Sequence, residues 1–242
     1  MSYFCFVFIF FGMRKLLFIA LAALLPAQCA NAQDAVKCRW GAREISDTWR
    51  YSHQDTATVK QVWVEDGLLC VKTRACTYDR TKMSTPMIYT SGTYRWKTYI
   101  PEFGPGDKTS VGSWIYCDDH HEVDFEVGWG TTEKRLEAGC GDGEVLACMT
   151  NQDFPFTSSY VPISIGWHEF EIRLDVVDGR YLVHWVIDGS ERKSQLVGFG
   201  PETSFRIFVS VENLNFIGDH IASKDNVGKY EWVTFDGQIS LK

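Results

Sequence analysis

The stretch His121-Glu122-Val123-Asp124-Phe125-Glu126-Val127 alternates acidic and apolar side chains without a break from Glu122 onward. On an extended strand successive side chains point to opposite faces, so Glu122, Asp124 and Glu126 share one face and Val123, Phe125 and Val127 the other. A helix would scatter both sets. A slip of one residue would bury all three acids in the core, so the pattern fixes the register of any strand whose apolar face is covered.

The rest of the chain has the same character. Period-two or β-rich segments fall at 59–64, 68–72, 94–100, 112–116, 121–127, 167–174, 181–187, 205–211 and 230–235. Asp66-Gly67, Asp178-Gly179, Asp188-Gly189 and Asp236-Gly237 mark tight turns between them, Asp-Gly being favoured where both central turn residues need positive φ. One short helix is expected at 131–138, and no internal repeat, low-complexity segment or Pro/Gly/Ser linker divides the sequence. These signals predict an all-β, two-sheet antiparallel β-sandwich or jelly roll in one domain over 33–242.

The first 32 residues contain no acid. Two apolar runs flank Arg14-Lys15, and the segment ends in Ala30-Asn31-Ala32, the layout of an export signal cleaved near Ala32. Met13 begins a complete signal unaided, which makes it an alternative start. Neither apolar run is long enough to span a bilayer, and Gln28 before Cys29 is a poor match to a lipid-attachment site. A secreted or periplasmic chain without stable membrane insertion is expected.

Residues 33–242 carry 22 of the 24 basic residues, Arg14 and Lys15 being lost, against 31 acidic ones, a net charge of −9. No basic patch offsets that charge, which argues against nucleic acid as a partner. Six cysteines remain in this portion, Cys38, Cys70, Cys76, Cys117, Cys140 and Cys148. An even count in an exported chain predicts disulfides, with Cys70–Cys76 and Cys140–Cys148 as local candidates. There is no C-x-x-C pair, and His120-His121 has no ligand at i+4, so no metal is assigned.

A half-solvated strand often shows an apolar/charged alternation without any chemistry. Like charges on neighbouring positions of one face repel, however, and no cation interrupts the acids from Asp118 to Glu133. Two carboxyl groups held close on a rigid surface are what acid-assisted, nucleophilic cleavage of a glycosidic bond requires. Trp114 just before the acidic strand and Trp129 just after it are placed either to pack in the core or to offer a ring to a sugar. His121 and Asn213 are further contact candidates, each with an ordinary loop or turn role as the alternative. His168 reads as a buried, hydrogen-bonded strand residue.

The chain resembles glycoside hydrolase family 16, the jelly-roll, concanavalin A-like enzymes that cut β-glucans and β-galactans. Glu122-Val-Asp-Phe-Glu126 is close to the family's unbulged Glu-x-Asp-x-Glu signature. Thr90 to Tyr94 with Tyr99-Ile100-Pro101, Gly112 to Tyr116, Trp167 to Ile172, Tyr181 to Gly189, Phe205 to Asn213 and Tyr230 to Phe235 resemble its other strands in the same order. Tyr94-Arg95-Trp96-Lys97 departs from the family's usual Tyr-Glu-Ala-Arg, and the region from Cys140 to Pro162 has no counterpart. The resemblance implies that Glu122 is the nucleophile, Glu126 the general acid and base, and Asp124 the helper between them. It implies a retaining, endo-acting enzyme that takes polysaccharide; a monomer without a cofactor is expected, and the sequence leaves a structural calcium site open. Transglycosylation at the same site and a non-catalytic carbohydrate-binding jelly roll are the alternatives.

Overall fold

The computed structural model describes residues 35–239, so the export signal, Met13 and Cys29 lie outside the described residues. The first elements are β1 (Ala35–Gly41), α1 (Ala42–Thr48), β2 (Arg50–His53), β3 (Val62–Glu65), β4 (Leu68–Thr73), β5 (Arg80–Ser84) and β6 (Tyr89–Ile100). They are followed by β7 (Thr109–Asp118), β8 (His121–Gly128), α2 (Thr132–Ala138), β9 (Glu144–Asn151) and β10 (Thr157–Ser164). The last are β11 (Gly166–Val177), β12 (Arg180–Ile187), β13 (Ser190–Leu196), β14 (Arg206–Asn213) and β15 (Asn226–Ile239).

The strands form two antiparallel sheets. One runs β13-β12-β11-β6-β15-β4-β3 with β1 also on β15, and the other runs β10-β9-β8-β7-β14-β5-β2. This is the expected two-sheet sandwich. Its interior is filled from both sides by alternating residues, among them Val123 and Phe125 on β8, Val209 and Val211 on β14, and Trp96, Trp185 and Tyr230 from the opposite sheet. Burying large aromatics contributes roughly 2–3 kcal/mol each.

Three of those aromatics also bond across the sandwich. Trp185 Nε1–H donates to the carbonyl of Asp124 at 3.0 Å, and Trp96 Nε1–H to that of Phe208 at 2.9 Å. The Tyr230 hydroxyl lies 2.7 Å from the Gly112 carbonyl and 2.8 Å from that of Ser210, and it accepts the Ser210 N–H at 3.2 Å. The backbone of β7, β8 and β14 is therefore held from below, directly beneath the acids.

Asp66-Gly67, Asp178-Gly179 and Asp188-Gly189 turn as expected, with φ of 52° and 78°, 50° and 77°, and 50° and 76°. Asp236-Gly237 does not. It lies inside β15, where Gly237 faces Gly92 of β6 and Asp236 pairs with Lys37 of β1. The glycine serves close backbone approach there, since a Cβ on Gly237 would lie 2.6 Å from the Gly92 α-carbon. The helix at 131–138 forms, with Thr131 Oγ1 accepting the Lys134 N–H as its cap and Gly139 left-handed at its end.

The disulfide expectation is corrected: Cys38, Cys70, Cys76, Cys117, Cys140 and Cys148 are all free. Extended backbone separates the near neighbours. From Cys70, β4 runs three steps to Thr73, about 10 Å, before the loop bearing Cys76 begins. From Glu144 to Cys148, β9 runs four steps, about 13 Å, beyond the loop bearing Cys140. Bridging needs α-carbons within about 7 Å.

Candidate active site

The outer face of the second sheet holds a cleft of about 680 Å³ whose floor is built by cross-strand rows. Pairing sets Trp114 of β7 opposite Asp124 of β8, Gly112 opposite Glu126, and Tyr116 opposite Glu122. On the other side of β7, Phe208 of β14 faces Trp114 and Glu212 faces Ser110. On the other side of β8, Thr150 of β9 faces Asp124 and Cys148 faces Glu126. Strand alternation gives every one of these side chains the same outward direction.

Glu122 is half-buried, while Asp124 and Glu126 retain 3% and 5% of their exposure. The Thr150 N–H donates to Asp124 Oδ1 at 3.2 Å, and the Ser110 hydroxyl donates to Glu126 Oε2. Gly112 makes room for that carboxyl: a Cβ there would lie 2.9 Å from Glu126 Oε1 and also strike Ser210. Trp114 stacks on Phe208 at 4.0 Å between centroids and donates its Nε1–H to Ser210 Oγ at 3.0 Å.

Burial pushes the Glu122 carboxyl up to about 7; the charge of Glu212 adds to it, and a hydrogen bond from Asp124 and the cations Lys82 and Arg80 oppose it. Burial also pushes Glu126 up to about 8, again with Glu212 adding, against the Ser110 hydrogen bond. Asp124 is raised well above the usual carboxylate range, first by burial and then by the charges of Glu122 and Glu126. A protonated Asp124 donating to an ionised Glu122 satisfies both groups.

Trp114 thus lies in the cleft beside the acids, but three other sequence candidates do not. His121 has the parity of Val123, so it turns away from Glu122; its ring packs edge-on against Phe199 at 5.0 Å, with Nδ1 2.7 Å from Asp118. Trp129 continues the same apolar parity beyond the end of β8, and the Arg135 guanidinium covers its ring at 3.8 Å. Asn213 has the inward parity of Val211. It accepts from Thr109 Oγ1 at 2.7 Å and donates to the Thr77 carbonyl at 2.8 Å, tying a loop to the sheet.

Its neighbour Glu212 is the residue that reaches the cleft, and the sequence reading missed it. Glu212 is buried at 1% exposure and paired with Arg80 and Lys82 from β5. Tyr116, Phe208, Phe156 and Tyr160 are further lining residues that it passed over. Tyr116 could have been found two positions beyond Trp114 on the same face. Arg95 and Lys97, the departures from the family pattern, lie on β6 in the other sheet, Arg95 bonded to Glu171 at 2.6 Å. His168 is a buried strand residue, with Nδ1 2.6 Å from Asp188 and Nε2 2.8 Å from the Ser164 carbonyl.

No protein-family model matches the chain, and no curated protein matches it in sequence. Solved structures do. The Crh5 transglycosylase in complex with NAG superposes with a TM-score of 0.60 at 18% identity over 85% of each chain. A prokaryotic β-1,3-1,4-glucanase (lichenase) from a mouse hindgut metagenome does so with a TM-score of 0.59 at 12% identity, over 84% of this chain and 99% of its own. LamA from Z. galactanivorans, in complex with laminaritriose and laminaritetraose, gives 0.59 at 10% identity over 84% and 98%. The sandwich therefore has the jelly-roll fold of this lichenase, of LamA and of the Crh5 transglycosylase.

Proposed function

We propose that the chain is a retaining, endo-acting glycoside hydrolase that cleaves a β-linked glucan or galactan. The observation that carries this reading is that two glutamates flank an aspartate on one strand face in a cleft floor, Asp124 and Glu126 buried and Glu122 half-buried, with raised proton affinities. Burying three carboxyls has no structural benefit, since each resists ionisation there.

Glu122 attacks the anomeric carbon, and Glu126 gives its proton to the departing oxygen, then takes one from the water that releases the sugar. Burial and the charge of Glu212 favour a proton on Glu126, the state that a general acid requires. Asp124 donates to Glu122 and holds its rotamer. Four strand steps separate the glutamate α-carbons by about 13 Å, so their side chains lean together over Asp124 to approach the roughly 5 Å of a retaining pair. The Trp114 and Phe208 rings, stacked on each other and largely buried, line the cleft floor, and the net negative cleft suits an uncharged polysaccharide.

Glu122→Gln and Glu126→Gln should each abolish release of reducing ends from β-glucans in a folded protein; an active Glu122→Gln enzyme would sink the assignment. The same site would serve transglycosylation if the exposed rings of Phe156 and Phe216 on the cleft wall held an acceptor sugar. Products longer than the substrate would mark that outcome.

A further inference from the structure

We infer that Glu212 is a positioning residue that keeps the proton on Glu126, a fourth carboxylate acting across the small side chains of β7. The inference rests on the role proposed above for Glu126. Glu212 and Glu126 project from the same face of the sheet, two strands apart, on either side of β7. Between them β7 offers only Ser110 and Gly112, and β14 offers Ser210, so no bulky group screens one acid from the other. Both are almost wholly removed from water, where charges interact most strongly.

The far side of Glu212 is closed by two cations. Arg80 Nε bonds it, and Lys82 Nζ lies 3.3 Å away, both from β5. These cations face Glu212 first and Glu126 only beyond it. The other groups around Glu126 are Glu122 and Asp124 on its own strand, the Ser110 hydroxyl from β7, and Cys148 from β9, whose thiol burial raises to about 12. Tyr160 of β10 lies opposite Cys148, and Tyr230 of β15 lies beneath, both phenols with raised proton affinity. Of these, Glu122 and Glu212 are the acids whose charge adds to burial in favouring a proton on Glu126, and Glu212 is the larger influence. Glu122 must ionise and react during turnover, whereas Glu212 is paired with Arg80 and Lys82 outside the reacting pair.

The test is the protonation midpoint of Glu126, read by carbon NMR of selectively labelled glutamate carboxyls and assigned with Glu126→Gln, together with the pH profile of kcat/KM. In Glu212→Gln the midpoint and the alkaline limb should both fall by about one pH unit, roughly tenfold in proton affinity, and the acid limb set by Glu122, which the Glu212 charge also raises, should fall with them. Glu212→Asp, which retains the charge, should restore both. Arg80→Gln, which removes a cation while leaving the acid, should move them upward. A Glu126 midpoint unchanged in Glu212→Gln would overturn the inference, as would equal shifts in Glu212→Gln and Glu212→Asp. The NMR titration needs no turnover. A wild-type protein that cleaves no glycan but whose Glu126 midpoint follows Glu212 would therefore overturn the enzymatic reading alone.

Discussion

Gly112 of β7 stands directly opposite Glu126 of β8, and its missing side chain is the space that the Glu126 carboxyl occupies. The glycine is at ordinary extended backbone, so its value lies in room and not in conformational freedom. Gly112→Ala would place a Cβ 2.9 Å from Glu126 Oε1 and closer still to Ser210 Oγ, so both the carboxyl and the hydroxyl must move. A displacement of about 1 Å at a reacting group costs on the order of 100-fold in rate. We expect kcat/KM to fall by about that factor, with ~1–3 kcal/mol of overpacking and the fold retained, as read by kinetics and circular dichroism.

The pH profile should be displaced from that of ordinary carboxylates. Activity requires Glu122 ionised and Glu126 protonated, and their values of about 7 and about 8 place the two limbs of kcat/KM near those pH values. Unperturbed glutamates would put both near about 4.3. A profile centred between about pH 4 and 5 would contradict the burial argument.

The same burial has a consequence for stability. Glu126 binds its proton up to a pH of about 8 when folded but only to about 4.3 when unfolded, so across that window the folded state holds more protons. Stability is accordingly full at the acid end and is lost as pH rises toward about 8. Glu126→Gln should unfold like wild type near pH 4 and be more stable by on the order of 2–4 kcal/mol above pH 8. Urea unfolding at both pH values measures this, and an equal difference at the two ends would exclude it.

The cysteines offer a simple check on the fold. Cys76 and Cys117 are exposed and should react with a thiol reagent in the native protein, whereas buried Cys70 and Cys148 should react only after unfolding. A reductant should leave the melting temperature unchanged. A drop of several degrees would show that a disulfide contributes to stability.

The acidic strand was legible because a period-two pattern has only one way to lie on a sheet. Three Asp-Gly turns were legible for a similar reason, positive φ at two adjacent positions being their requirement. The fourth pair, Asp236-Gly237, looked identical, yet close approach to Gly92 explains that glycine, which only the partner strand reveals. Strands β1, β2, β5, β9, β10 and β13 and helix α1 lacked clear signals; β5 and β13, for example, carry Lys and Arg among their residues. Within the site, parity decides. His121, Trp129 and Asn213 sit one position away from outward positions, and Glu212, though inside the stretch Phe205 to Asn213, was passed over for its inward-facing neighbour Asn213. The ions that balance Glu212 come from a strand 130 residues earlier in the chain, a pairing no local pattern contains.

The central claim is that Glu122 and Glu126 cleave a β-glycosidic bond with retention. Proton NMR of the anomeric centre during the first minutes of hydrolysis of mixed-linkage glucan, laminarin or agarose tests it most directly. The β-anomer should appear first in the released sugar, followed by slow equilibration. An α-anomer appearing first, or no new reducing ends from any β-linked polysaccharide, would contradict it.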